Sequence, residues 1–229
     1  MSPRDVGLFL RSSRTDAAIA RLRPAIGGPG AMQAVYEQRP DPWGSADPAY
    51  RYQRRKYESL VALLPAGRRF ASALDLGCGL GLLTRLLAAR ADAVLGIDVA
   101  SAAIEAARRS GGDWPTIRFE QGDAMALPAS LHGRFDLVVL ADMVYYLWPL
   151  DDQVLKRMAT RVTQLLAPGG VCLLANHYFF AADPESRRSR RIETAFIWSP
   201  GLRVLARHRR PFYLVTLLTP AGPEPTAIN

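Results

Sequence analysis

Apolar residues recur in two rhythms along this chain, and the switch between them predicts its elements. Strands read at 73–76, 93–97, 116–120, 135–140 and 171–175, all but the third as short, mostly apolar runs. The fourth, Phe135-Asp136-Leu137-Val138-Val139-Leu140, is continuously apolar from Leu137, as a strand covered on both faces requires. Between these runs, apolar residues take helical spacing over 80–90, 101–110 and 150–166. Ser101 stands where it can cap the second of these helices, and Pro168-Gly169-Gly170 terminates the third. A charged stretch at 183–198 reads as another helix. Two last strands follow at 202–206 and 212–218, joined through His208-Arg209-Arg210-Pro211. Strands alternating with helices predict an α/β fold with a parallel sheet and right-handed crossovers.

Upstream of residue 73 the pattern is weaker. A helix over 48–64 puts Tyr50, Tyr57, Leu60, Val61 and Leu64 near helical spacing, and Pro65 and Gly67 stop it. Residues 1–49 read as a partly irregular N-terminal segment with a short helix at 16–22. Both Ile26-Gly27-Gly28-Pro29-Gly30 and Arg39-Pro40-Asp41-Pro42-Trp43-Gly44 are breakers. The expected division is this segment, 1–49, followed by one α/β domain over 50–229.

Composition narrows the class. Of 229 residues, 49% are hydrophobic and 22% charged, a mixture that excludes a wholly disordered or collagen-like chain. The longest apolar run, 137–150, has Asp142 in its middle and is too short to span a membrane. The first residues show no apolar stretch before a small-residue cleavage site, so a cytoplasmic protein is expected. Cys78 and Cys172 offer neither metal spacing nor a disulfide framework. The net charge of +8 would suit nucleic acid or an anionic substrate. Yet Lys56 and Lys156 are the only lysines, and the arginines are dispersed apart from Arg187, Arg188, Arg190 and Arg191. A solvated surface is the expected role for most of them.

The chemistry concentrates in Ala73-Leu74-Asp75-Leu76-Gly77-Cys78-Gly79-Leu80-Gly81-Leu82-Leu83-Thr84. A strand enters a glycine turn and then a helix. Gly77 permits the tight turn, and Gly79 and Gly81 let a ligand approach bare backbone. Seventeen residues after Gly81 stands Asp98, at the tip of the second strand. An acid there accepts hydrogen bonds from both hydroxyls of a ribose. The nicotinamide fingerprint wants a third glycine where this chain has Leu82, so a dinucleotide fits less well.

Asp75-Leu76-Gly77-Cys78-Gly79-Leu80-Gly81 closely resembles the class I S-adenosylmethionine-dependent methyltransferases. Gln121-Gly122-Asp123-Ala124, the fourth strand and Leu166-Ala167-Pro168-Gly169-Gly170 follow in the family's order. The resemblance implies a Rossmann-like α/β fold: a seven-stranded, mostly parallel sheet with an antiparallel last strand and helices on both faces. The short link between the last two strands agrees with that. It implies S-adenosylmethionine as cofactor and S-adenosylhomocysteine as product. The implied cofactor residues are Asp75, Gly77, Cys78, Gly79, Gly81, Asp98, Val99, Asp123, Ala124 and Ala141. Asp123 would receive the adenine amino group, and Cys78 is a small packing residue rather than a nucleophile. Relatives that bind a metal carry Glu-x-x-Glu-His after strand four; here Asp142, Tyr145 and Tyr146 stand there, and no metal is expected.

A narrower resemblance rests on Asp41-Pro42-Trp43, Tyr50, Arg55-Lys56-Tyr57 and Tyr145-Tyr146-Leu147. These are similar to the nodulation protein S family, which N-methylates the amino sugar of chitooligosaccharide signals. It implies that Trp43 and Lys56 close over the cofactor as lid contacts.

Three further residues are candidates for the transfer itself. Asp142, just past the fourth strand, either holds a substrate ammonium, takes a proton, orients a hydroxyl, or caps the short helix after it. His177, following the fifth strand, is either a general base or a structural histidine. Tyr146 and its neighbour Tyr145 either line the acceptor pocket or, for one of them, fill the core. The expected partner is a small organic acceptor, an amino group on a sugar or related metabolite first, a hydroxyl second. A nucleic-acid methyltransferase is weakened by the absence of an Asn-Pro-Pro-Tyr-like motif, since strand four ends in Leu140-Ala141-Asp142-Met143. A non-catalytic cofactor-binding module is the remaining alternative.

Overall fold

A helix opens the chain where the sequence reads as largely irregular. The computed structural model describes residues 3–110 and 112–222, so residues 1–2 and the expected end of the domain at 229 lie outside the described residues. Helix α1 spans Pro3–Gln38 in two arms that meet at Gly27, whose backbone is non-helical (φ 74°, ψ 172°). The breakers at 26–30 therefore bend a helix and do not end it. Gly27 adopts the left-handed φ without a Cβ penalty, and Pro29 stands near the start of the second arm, where its missing N–H costs little. Irregular backbone is confined to 39–50.

The remaining helices are α2 (Arg51–Ala62), α3 (Leu82–Leu87), α4 (Ser101–Arg109), α5 (Asp152–Leu165) and α6 (Pro184–Ile197). The strands are β1 (Phe70–Leu76), β2 (Ala91–Asp98), β3 (Ile117–Gln121), β4 (Phe135–Ala141), β5 (Leu166–His177), β6 (Leu202–Arg210) and β7 (Tyr213–Pro220). They form one sheet in the order β3-β2-β1-β4-β5-β7-β6. The first five strands pair in parallel, and β7 inserts antiparallel between β5 and β6. The fold and its antiparallel last strand are as expected. Both final strands run longer, so the residues 208–210 read as a connection belong to β6.

β4 shows why its sequence is unbrokenly apolar. Val138 and Leu140 face a cluster with Leu155, Met158, Val162 and Phe196, while Leu137 and Val139 face Leu60, Phe70, Leu83 and Val215. Each face of the strand is a core. Asp151 caps α5 by accepting from the Val154 N–H at 2.7 Å, and Asp183 caps α6 through the Ser186 N–H at 2.7 Å. Ser101 does not cap α4. Ala100 holds that position, and the Ser101 hydroxyl turns to Gln33 Oε1 at 3.3 Å, tying α4 to α1.

Sheet order decides where a ligand can sit. β1 is flanked by β2 on one side and β4 on the other, so successive crossovers leave in opposite directions and open a crevice at their carboxyl ends. The glycine turn, Asp98, Asp142 and His177 all lie along that edge. Among the described residues, no helix is long and apolar enough to cross a membrane.

Candidate active site

The loops beyond β1, β2, β4 and β5, together with α1 and α2, enclose a cavity of about 1480 Å³. Its floor is the glycine turn. The N–H groups of Gly77 and Cys78 both donate to the Ile97 carbonyl, at 2.8 and 3.0 Å, which folds β1 sharply against β2. Gly79 has φ 52°, and a Cβ there would stand 2.8 Å from the Tyr36 hydroxyl. Only glycine combines that backbone with that neighbour.

Asp98 is buried beside the turn. Its Oδ2 accepts from the Gly79 N–H at 2.9 Å and its Oδ1 from the Ala100 N–H at 3.0 Å. Burial pushes its pKa up, and these backbone donors pull it back. Each oxygen keeps a lone pair for a ligand hydroxyl. Val99, Asp123, Ala124 and Ala141 line the same half of the cavity. Asp123 Oδ1 accepts from the Met125 N–H at 2.8 Å, so its loop is self-braced.

Two residues grouped with this set by sequence are absent from the cavity wall. Asp75 lies behind the turn, where it accepts from the Thr84 hydroxyl at 2.6 Å. Gly81 precedes α3 as its N-cap and packs against the Phe119 ring, which leaves no room for a side chain. Both brace the turn from behind the cavity wall. Burial pushes the Asp75 carboxyl up to about 7, with the Thr84 hydrogen bond opposing and Asp98 adding to the rise. The folded protein thus binds a proton that the unfolded chain releases near its ordinary value of 3.8. Stability from this group is complete below that value and is lost as pH rises through about 7. Asp75→Asn is expected to flatten the decline, by roughly 4 kcal/mol at 1.36 kcal/mol per pH unit. Urea melts over a pH series check this; parallel slopes for both proteins would refute it.

Trp43 is presented by a turn that Asp41 organises, accepting from the N–H groups of Ser45 (2.9 Å) and Ala46 (3.0 Å). Its indole donates to Asp16 Oδ1 at 2.9 Å, and the Tyr146 hydroxyl donates to the same oxygen at 2.7 Å. The Trp43 ring lies 5.5 Å from that of Tyr36 and 5.6 Å from that of Tyr146. The second arm of α1 brings Tyr36, and the first arm brings Asp16.

Lys56 lines the same cavity as the glycine turn. Its side chain is buried, its ammonium lies 5.3 Å from the Tyr213 ring centre, and it is paired with Asp142 Oδ2. Asp142 itself has a left-handed φ of 55°. It caps nothing: Met143 holds the N-cap of the turn Val144–Tyr146, with no side-chain cap bond. The other oxygen, Oδ1, is buried without a hydrogen-bond partner among the described residues, and Asp142 lines the cavity wall. His177 ends β5 with its ring 4.7 Å from that of Tyr145. Its Nε2 is buried without a hydrogen bond, the nearest carboxylate being Glu185 Oε2 at 3.9 Å. Burial above all, with the Lys56 charge, holds the His177 pKa below its ordinary 6.5, although Asp142, Glu185 and Asp16 pull upward. A neutral imidazole is the form at neutral pH. Tyr145 and Tyr146 both reach the cavity, their rings 4.6 Å apart. The turn that carries them is a 3₁₀ turn, and Tyr145 is also buried against the core.

Asp16, Arg23, Tyr36 and Glu185 belong to this site and carried no sequence signal. Asp16, Arg23 and Tyr36 are brought there by the bent α1, and Glu185 by the first turn of α6.

Residues 73–170 match the profile of a methyltransferase domain family. The match runs from β1 into β5. The chain is 33% identical over 129 residues to nodulation protein S of Bradyrhizobium diazoefficiens, covering 56% of this chain and 58% of that protein. It is 38% identical over 123 residues to trans-aconitate 2-methyltransferase of Deinococcus radiodurans, covering 52% and 43%. This chain thus spans about half the length of the curated relatives it matches. A crystal structure of the N-methyltransferase NodS from Bradyrhizobium japonicum WM9, in complex with S-adenosylhomocysteine, superposes with a TM-score of 0.65. That match is 20% identical and covers 93% of this chain and 99% of that one. The fold is that of the class I methyltransferases, and the expected likeness to nodulation protein S is borne out. The methyltransferase domain contributes the glycine turn, Asp98, Asp123 and Asp142. Trp43, Lys56 and His177 come from outside it.

Proposed function

We propose that this chain is an S-adenosylmethionine-dependent methyltransferase that methylates an amino group of a small organic acceptor, an amino sugar or related metabolite. The observation that carries this reading is a pair of buried, unpartnered acceptor atoms, Asp142 Oδ1 and His177 Nε2, in the same cavity as the glycine turn.

The cavity's other half fits the cofactor. A Cβ at Gly79 would fill the approach to the turn, Asp98 offers two carboxylate oxygens where ribose hydroxyls would arrive, and the aromatic faces of Trp43 and Tyr146 suit a cationic sulfonium. When bound, S-adenosylmethionine supplies an electrophilic methyl group. The chain's own residues do the rest. Lys56 occupies Asp142 Oδ2 and so fixes which oxygen faces the acceptor. Asp142 Oδ1 holds the acceptor's ammonium or amine N–H, and alignment of the nitrogen lone pair supplies most of the acceleration. Neutral His177 takes the departing proton, with Glu185 close enough to stabilise the imidazolium. Tyr145 and Tyr146 wall the site from water.

Two outcomes test this. Mass spectrometry should find one added methylene on amino-sugar probes incubated with the protein and S-adenosylmethionine, placed on nitrogen by NMR. Methylation only at hydroxyl or carboxyl oxygen, or none on any probe, would overturn it. Asp98→Ala should weaken S-adenosylhomocysteine about ten- to hundredfold by calorimetry, the loss of hydrogen bonds to a charged group being about 1.5–3 kcal/mol. An unchanged dissociation constant in a folded variant would place the ribose elsewhere.

The arginines that raise the net charge give little support to a nucleic-acid substrate. Arg191 is committed to Asp152 at 2.7 Å, Arg190 to the Tyr178 hydroxyl at 3.0 Å, and Arg207 to Glu193 at 3.0 Å.

A further inference from the structure

The same cavity has a second, positively charged lobe that methyl transfer to an amine leaves unused. Arg23, on the first arm of α1, lays its guanidinium over the Trp148 ring, 4.4 Å from the ring centre. Its Nε is buried and has no hydrogen-bond partner among the described residues. Arg188, from α6, lines the same lobe. The lobe is built by the bend in α1: a Cβ on Gly28 would stand 3.2 Å from Trp148 Cβ, so helix and tryptophan are in backbone-close contact there. The two guanidinium groups lie near enough to repel, which together with burial lowers the Arg23 pKa.

The nearby acids neutralise this pair only in part, and none of them is hydrogen-bonded to Arg23 among the described residues. Asp16 is engaged by Trp43 and Tyr146, and Asp183 by Ser186. Glu185 pairs with Arg188 at 2.8 Å, which leaves Arg23 without a bonded carboxylate. Lys156 and Arg157 of α5 add further positive charge along the cavity wall. One carboxylate, Glu185, serves two guanidinium groups, so the lobe keeps an excess of positive charge around the orphaned Arg23 N–H, and a guanidinium fork is suited to an oxyanion.

We propose that the acceptor carries an oxyanion, a carboxylate or a phosphate ester, and that Arg23 and Arg188 bind it while the amine lies against Asp142 and His177. This rests on the amine-methylation reading above and narrows it to zwitterionic acceptors. Arg23 and Arg188 both lie outside residues 73–170, so the methyltransferase domain does not itself supply this selectivity.

Glucosamine, its phosphate ester and its uronic acid, titrated calorimetrically into the S-adenosylhomocysteine-loaded protein, test the proposal without turnover. The phosphate or carboxylate probe should bind about tenfold or more tightly than glucosamine. Arg23→Gln and, separately, Arg188→Gln should erase that preference; two variants guard against misfolding of either one. Which anion prevails separates carboxylate from phosphate. Equal affinity for all three probes, or a preference that survives in folded Arg23→Gln, would overturn the subsite. Inorganic phosphate separates the two claims. If it binds the wild-type protein and not Arg23→Gln while no amine gains a methyl group, the anion subsite stands and amine methylation falls.

Discussion

Gly79→Val is expected to weaken S-adenosylhomocysteine by more than about a hundredfold, some 2.8 kcal/mol at 1.4 kcal/mol per decade. Three effects combine. A β-branched residue in a left-handed conformation is disfavoured by more than the roughly 1–2 kcal/mol typical of any side chain there. Its Cβ would meet the Tyr36 hydroxyl at 2.8 Å, so either the turn or the lid must move. Moving the turn also breaks the Gly79 N–H bond to Asp98 and misplaces the carboxylate meant for the ribose. Gly79→Ala, with the same Cβ and less bulk, should fall between the two. Calorimetry returning near-wild-type affinity for the valine variant would detach this turn from the cofactor.

The next largest effect is expected at Asp142, in rate and not in affinity. Asp142→Asn should slow single-turnover methyl transfer to an amine by about 10², the size of effect expected when a reacting group is misplaced by about 1 Å. Cofactor binding should change little. The left-handed φ of 55° is tolerable for asparagine, so the backbone survives. The chemistry does not. Lys56 will select the amide oxygen, which turns the NH₂ toward the acceptor and presents a donor where Oδ1 had accepted. His177→Gln should cost less for an amine and more for a hydroxyl, because a neutral amine attacks through its own lone pair and sheds its proton afterwards, whereas a hydroxyl gains its nucleophilicity from the base. The wild-type rate should hold as pH falls until His177 protonates, below the ordinary histidine value, since burial depresses it. Full activity in both variants would leave alignment alone as the mechanism.

The sheet was legible because its strands are short apolar runs and its turns are punctuated by glycine. β4 alone, with Leu137 and Val139 on one face and Val138 and Leu140 on the other, demands cover on both sides. The same local signals hid α1. Two prolines and three glycines between 24 and 30 look like the end of order, and only Ile19, Ala31, Val35 and Tyr36 packing on Ala100 and Ala103 makes the bent helix worth forming. Tertiary contact overrode local propensity there. The site follows the same division. Gly79, Asp98 and Asp142 could be read from spacing along single strands. The partnership of Lys56 with Asp142 spans 86 positions and has no local trace. Asp75 and Gly81 were recognisable as motif members, but a motif does not say which of its residues face the ligand and which brace those that do.

The distribution of indole rings gives the protein an optical reporter at each end of its cavity. Trp43 lines the part of the cavity proposed for the cofactor, bonded to Asp16 and packed on Tyr36 and Tyr146, while Trp148 forms the platform beneath Arg23. Trp114 and Trp198 are exposed and line neither end, so their emission is a constant background. With Trp148 replaced by phenylalanine, the ligand-dependent fluorescence comes from Trp43 and follows nucleoside occupancy. With Trp43 replaced instead, it comes from Trp148 and follows the acceptor. Order of arrival, commitment to transfer and release of the methylated product can then be timed in a stopped-flow cell on unlabelled protein.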